Sequence, residues 1–204
     1  MSCKPIIIVA GEPNSVFLEI FFKSLKFKKY KSPLIIVCSK KLLQEQMKKL
    51  KFNYKINIVD KDFAKLDALN NKQINLVDVN YNFKRCFEKI SNKSNDYIKN
   101  CFDIALEILK KNKLTKFING PISKKYFLKG KTLGVTEYLA KKTNKDHKVA
   151  MLIHNKNLSV SPLTTHLALK DVPRKISKKK LQIHVKLIND FYKTNFNKKP
   201  KIAI

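Results

Sequence analysis

Residues 161–173, Ser-Pro-Leu-Thr-Thr-His-Leu-Ala-Leu-Lys-Asp-Val-Pro, set two hydroxyls and an imidazole, Thr164, Thr165 and His166, directly after an apolar segment. A neutral imidazole is the commonest side-chain metal ligand and the usual acid or base near pH 7, and neighbouring hydroxyls can orient it or bind an anion. A catalytic metal site needs about three protein ligands, and His166 has no local companion. His147 and His154 flank an apolar segment in turn-like surroundings, and His184 falls inside a helical pattern. There is no H-E-x-x-H pair, and neither Asp60-Lys61-Asp62 nor Asp78-Val79-Asn80 resembles a metal loop. Read alone, His166 is first of all a structural histidine.

A second candidate is Asn119-Gly120-Pro121-Ile122-Ser123-Lys124-Lys125. Here a sharp turn would lead into a helix whose free N–H groups, with Ser123 and Lys124, could hold a phosphate or carboxylate; an ordinary strand-to-helix turn with surface lysines explains it equally well. Gly11-Glu12-Pro13 is weaker, because a phosphate-cradling loop needs more glycine; Glu12 could hydrogen-bond a substrate amine or brace the loop, and a plain turn suffices to explain it. The chain has only four glycines, at 11, 120, 130 and 134. Three of them stand in these loops and in Leu133-Gly134-Val135-Thr136-Glu137, at positions where a strand should end or a helix begin.

The elements that must position these groups follow from the apolar pattern. Residues 4–10 are a short continuous apolar run, as expected of a strand buried on both faces, and 33–39, 55–60, 74–79 and 116–120 read as further strands. Helices are expected after Asn14 or Ser15, with Val16, Phe17, Ile20, Phe21 and Leu25 facing inward, over 40–50, over 94–111 and after Ser177 to about Asn195. Pro121 suits the first position of a further helix. Residues 149–153 and 158–163 should form an antiparallel pair, and 201–204 should begin another strand. This alternation predicts an α/β three-layer sandwich with a mostly parallel central sheet. No repeat, linker or boundary divides residues 1–204, and the apolar ending reads as a fold cut short at its C-terminal side.

Composition narrows the function. The net charge of +29 would suit a polyanion. Yet Arg occurs only at 85 and 174, the lysines are scattered, and base readers and phosphate clamps rely on the bidentate Arg fork. No specific nucleic-acid partner is expected. A lysine-rich polyanion-binding module without catalysis remains as an alternative class, to be told apart by steep salt dependence. Cys3, Cys38, Cys86 and Cys101 have no metal-like spacing and read as reduced, buried thiols of a cytoplasmic protein. No apolar run reaches membrane-spanning length.

Taken together, Gly11-Glu12-Pro13, Gly120-Pro121 with Lys124, Gly134-Val135-Thr136-Glu137 and Thr164-Thr165-His166-Leu167-Ala168-Leu169 resemble, in order and spacing, the N-terminal part of the 4-hydroxythreonine-4-phosphate dehydrogenase family of the isocitrate-dehydrogenase-like superfamily. The resemblance implies NAD(P)-dependent oxidation of 4-phosphohydroxy-L-threonine with subsequent decarboxylation, in pyridoxal phosphate biosynthesis. It implies a divalent metal (Zn, Mg or Co) with His166 as one of three histidine ligands, substrate contacts from Thr136 and, for the phosphate, Lys124, and a homodimer. The family's substrate-binding His of Gly-His-Thr-Glu is Val135 here, so a related phosphorylated hydroxy acid such as a threonate 4-phosphate is the nearest alternative substrate. The family's later half, with its remaining metal histidines and much of its cofactor surface, lies outside these residues, so the chain by itself would not complete the site.

Overall fold

The computed structural model describes residues 3–60, 69–130, 132–145 and 148–204; His147 and the Lys61-Asp62 part of the acidic run lie outside them. The chain divides into two compact units, Met1–Phe127 and Leu128–Ile204, where the sequence marks no boundary.

The first unit is built on five parallel strands: β1 (Ile6–Val9), β2 (Leu34–Cys38), β3 (Ile56–Ile58), β4 (Ile74–Asp78) and β5 (Phe117–Asn119), in the order β3-β4-β2-β1-β5. The register pairs Ile6 with Leu34, Ile35 with Asn75 and Val9 with Asn119. Alternation along the strands assigns the two faces. Ile8, Ala10, Leu34, Ile36, Ile74 and Leu76 pack in one core with Leu18, Phe21 and Phe22 of α1 (Phe17–Phe27) and Leu42, Leu43 and Met47 of α2 (Lys40–Lys49). The intervening residues, among them Ile7, Val9, Ile35 and Val37, are buried as well. α3 (Asn95–Lys111), which packs on β1 and β2, buries Tyr97, Ile98, Cys101, Phe102, Ala105 and Ile108. The parallel α/β architecture expected from the sequence is the one observed.

Local departures have local causes. In α1 Leu18, Phe21 and Phe22 are buried and Phe17 and Leu25 pack partly buried against the same core, as expected for Phe17, Phe21 and Leu25, whereas Val16 and Ile20 are more than half exposed. So many apolar residues crowd this helix that periodicity left the edge of its inward face open, and packing against the sheet placed that edge at Leu18 and Phe22 rather than at Val16 and Ile20. Val16 occupies the N-cap without a side-chain bond. No helix starts at Pro121: its carbonyl is taken by the Glu12 N–H at 2.8 Å, and a single π turn forms only over Lys124–Leu128. Cys38, Cys86 and Cys101 are buried free thiols, while Cys3 is exposed.

The second unit holds α4 (Val135–Lys142), α5 (Val172–Lys175) and α6 (Lys178–Phe196). Ser177 caps α6 as expected, its hydroxyl accepting from the Lys180 N–H at 3.2 Å. The expected antiparallel pair shrinks to one bridge, Ile153 with Val160, held by two backbone hydrogen bonds of 2.8 and 3.0 Å. Side chains extend that bridge instead. Tyr192 of α6 donates to Ser159 Oγ at 2.8 Å, and His154 stacks on Phe196 with ring centroids 4.9 Å apart. Residues 201–204 form no strand and are exposed. Among the described residues no helix is long and apolar enough to cross a membrane.

Candidate functional site

In the first unit, β1 lies between β2 and β5, so the chain leaves it in opposite directions and a crevice is expected beyond the carboxyl ends of β1 and β5. Gly11 and Gly120 meet there. A Cβ on Gly11, whose φ is +75°, would lie 2.4 Å from the Pro121 carbonyl oxygen, and one on Gly120 would lie 2.1 Å from that of Ala10. Both positions exclude any side chain, which explains two of the four glycines. The Glu12 carboxylate is buried beneath this junction, accepting from Ser94 Oγ at 2.9 Å and from the Asn14 N–H at 3.3 Å. Burial raises its pKa, and these hydrogen bonds only partly oppose the shift. Gln46 Nε2 donates to the Pro13 carbonyl at 2.8 Å. Glu12 therefore braces the loop. Lys124 is exposed at the start of its π turn, and Ser123 Oγ accepts from the Tyr126 N–H at 3.2 Å.

The second unit brings together the other two motifs, which lie about thirty residues apart in sequence. Gly134 is the N-cap of α4, so Val135, Thr136 and Glu137 form its first turn. His166 comes to that turn: a Cβ on Gly134 would meet Glu137 Oε2 at 2.9 Å and His166 Nε2 at 3.7 Å. Thr165 Oγ1 donates to Glu137 Oε1 at 3.4 Å, fastening the two segments. His166 itself is exposed and carries a φ of +56°, a left-handed conformation uncommon for residues other than glycine. Its imidazole is thus displayed at the head of a helix, apart from any core.

His166 and Glu137 are types that ligate divalent metals, and together they would make one corner of a site. Among the described residues no group of three or more His, Cys, Asp or Glu could hold a metal ion. The residues present therefore fit part of such a site only.

A cleft of about 770 Å³ opens beside this corner. Thr136, Glu137, Thr164 and Thr165 contribute to its wall, as do Lys175, Lys179, Lys180 and His184. His184 is held by Ser161. The Ser161 hydroxyl donates its one proton to the Met151 carbonyl at 2.5 Å and so accepts from His184 Nε2 at 2.7 Å. Burial, and secondarily the charge of Lys180, lower the His184 pKa, keeping the ring neutral near pH 7.

A family model described as pyridoxal phosphate biosynthetic protein PdxA matches residues 29–204. The chain belongs to that family. It is 34% identical over 207 residues to the 4-hydroxythreonine-4-phosphate dehydrogenase of Sulfurihydrogenibium sp. (strain YO3AOP1), covering 97% of this chain and 61% of the relative. A relative of the same name from Aquifex aeolicus is 28% identical, with 98% and 62% covered. The chain therefore spans about three fifths of the length of these PdxA proteins. A 4-hydroxythreonine-4-phosphate dehydrogenase structure from Klebsiella pneumoniae superposes with a TM-score of 0.77 at 20% identity, over 93% of this chain and 59% of that one. That likeness shows the shared fold.

Sequence reasoning pointed to Thr136, Lys124 and His166. It gave Glu137 no partner, although Glu137 stood within a quoted motif, and it passed over His184 and the lysines of α5 and α6. Nothing in a lysine-rich chain singles out those three before folding sets them around one cleft.

Proposed function

We propose that this chain forms the N-terminal part of an NAD(P)-dependent 4-hydroxythreonine-4-phosphate dehydrogenase, which oxidises 4-phosphohydroxy-L-threonine and releases carbon dioxide from the resulting β-keto acid, in pyridoxal phosphate biosynthesis. The observation that carries the reading is the meeting of Gly134–Glu137 with Thr165 and His166 at the head of α4. In this reading His166 supplies one metal ligand, and its exposed, left-handed placement leaves the ring free to do so. A divalent metal, when bound, would polarise the substrate hydroxyl as a Lewis acid. The Thr136 hydroxyl, on the cleft wall, would hydrogen-bond the substrate, while Glu137 accepts from Thr165 and so keeps the two segments in register. Lys124 is carried over as a phosphate contact. A homodimer acting in the cytoplasm is part of the same proposal.

The test uses the protein extended to the full length of its relatives. NAD(P)⁺ reduction with 4-phosphohydroxythreonine should require a divalent metal and should fall more than about 100-fold in His166→Ala, beyond the loss usual for groups that merely support a ligand. Retention of activity in that variant would exclude the assigned role.

A second reading is favoured by Val135, which can neither donate nor accept a hydrogen bond where the family carries His. Residues of this chain are also 39% identical over 71 positions to a Bradyrhizobium diazoefficiens protein named, provisionally, as a D-threonate 4-phosphate dehydrogenase. Turnover of D-threonate 4-phosphate in preference to the amino acid substrate would select this reading, and Val135→His should then shift the preference back.

A further inference from the structure

α1 carries apolar side chains on two opposite sides. Leu18, Phe21 and Phe22 are buried against the sheet, while Val16, Ile20 and Phe27 are exposed, Phe27 at 83%. At 3.6 residues per turn these three exposed residues fall within about 40° of arc, on the side of the helix away from the core, in a row about 17 Å long. The Val16 carbonyl accepts from the Ile20 N–H at 3.1 Å, so Val16 is already in helical phase. A helix apolar on opposite sides is ordinarily covered on both, and α1 is covered on one. Charge gathers at the end of the row. Lys23, Lys26, Lys28, Lys29 and Lys31 are all exposed, and no acidic residue occurs between Ile20 and Lys31. Glu19 pairs with Lys23; among the described residues no carboxylate pairs with Lys26, Lys28, Lys29 or Lys31. Lys28 stands instead over the Tyr30 ring, 6.0 Å from its centroid.

We infer that the outer side of α1 docks on an anionic lipid bilayer, with Phe27 entering the boundary between headgroups and acyl chains, Val16 and Ile20 lying along it, and Lys26, Lys28, Lys29 and Lys31 among the headgroups. An apolar row bordered by lysines matches the layered chemistry of such an interface, where binding follows the apolar area buried plus the attraction of anionic lipid for cationic side chains. Lysine suits the border, because its methylene stem can lie on apolar surface while the ammonium stays in water. The row runs along the outside of a helix. A fluid acyl layer takes up Val, Ile and Phe there without a shaped pocket, whereas a folded acidic protein would need complementary relief and a nucleic acid has no use for two aliphatic side chains. The inference goes beyond the dehydrogenase reading and does not depend on it.

A net charge of +29 draws the chain to any anionic surface, so the test must separate insertion at α1 from adsorption. The chain contains no tryptophan, so a single-tryptophan variant reports only its own position. Phe27→Trp and, as a control, Leu158→Trp at an exposed turn of the second unit are mixed with vesicles of phosphatidylcholine and phosphatidylserine. Emission from the Phe27→Trp variant should move to shorter wavelength and be quenched by lipid brominated on its acyl chains; emission from the control should do neither. Adding Ile20→Ser to Phe27→Trp should reduce the shift, and vesicles of phosphatidylcholine alone should give none.

Sedimentation with the same vesicles supplies a second readout. Replacing Lys26, Lys28, Lys29 and Lys31 together by Gln, with unchanged circular dichroism, should weaken association at least about tenfold, since each lysine near an anionic surface is worth about fivefold. Replacing the exposed Lys48, Lys51, Lys55 and Lys72 removes the same charge and should weaken it less than about threefold. An unshifted Phe27→Trp variant on vesicles that it binds, an equal shift in the Leu158→Trp variant, or equal weakening by both lysine sets overturns the proposal. Binding to polyglutamate as tight as to the vesicles, with no quenching by brominated lipid, overturns it in favour of an acidic polymer.

Discussion

The two units solve the problem of positioning side chains differently. Met1–Phe127 is held by burial: Phe22, Phe102, Ile7, Ile35 and Ile98 are essentially inaccessible, and both faces of its sheet are covered. In Leu128–Ile204 only Leu128 and Ala140 are buried apolar residues among those described, and α6 buries none. Met151, Ile153, Val160, Ile183, Phe191 and Phe196 are all more than a third exposed. The second unit is organised by hydrogen bonds and ring contacts, Ser159 with Tyr192, Ser161 with His184, and Thr165 with Glu137. Each such bond contributes about 0.5–1.5 kcal/mol net, against about 1.5–3 kcal/mol for full burial of one large apolar side chain. The loop that carries His166 and the helix turn that carries Thr136 thus sit in the unit with the smaller reserve of stability.

The sharpest way to break this contrast is a pair of matched truncations. Phe102→Ala should cost about 3–5 kcal/mol in urea unfolding of the first unit, whereas Phe191→Ala in the second should cost under about 1 kcal/mol. Similar losses in both would mean that the second unit has a core of its own.

A smaller effect comes from Glu12. Its pKa in the folded chain is raised above the ordinary carboxylate value of 4.5, so the folded state takes up its proton more readily than the unfolded state does. Stability of the first unit should therefore decline as pH rises from about 4.5 through the raised value, and then level off. The difference between the native chain and Glu12→Gln, followed by urea unfolding across that window, isolates the effect. A difference of the opposite slope would mean that the hydrogen bonds from Ser94 and Asn14 outweigh burial.

The smallest effect belongs to His184, whose pKa is lowered below 6.5. Its contribution has the other sign. It is fully present above pH 6.5 and lost as pH falls through the lowered value, because the unfolded imidazole protonates first. Hydrogen exchange of the α6 amides should accelerate over that interval, and Lys180→Gln, which removes the neighbouring positive charge, should reduce the dependence. Exchange indifferent to pH there, after correction for its intrinsic rate, would remove His184 from the account of what holds the second unit.

Much of the first unit was legible in the one-dimensional pattern. Runs such as Ile6–Val9 and Leu34–Cys38 have no polar residue to turn outward, so burial on both faces, and hence a parallel sheet with helices on each side, followed directly. The inward face of α1 was legible at Phe17, Phe21 and Leu25 but not at its edge, because Val16 and Ile20 are as apolar as the residues that pack. Of the candidate site, the motif around Thr136 and the motif around His166 could be recognised by residue type, while their meeting could not. Glu137 gained a partner only when the chain folded back, and the strand pairing expected at 149–163 gave way to a single bridge whose side chains reach for α6.

By itself, then, the amino-acid order determined the alternation of strand and helix, the buried character of the sheet and the family to which the motifs are similar, since each depends on neighbours a few residues away. Only tertiary structure decided that Gly11 and Gly120 press backbone to backbone, that Glu12 serves as a brace, that His166 stands exposed at the head of α4, and that three lysines share one cleft. Those outcomes depend on distances between segments far apart in the chain, which no local spacing encodes.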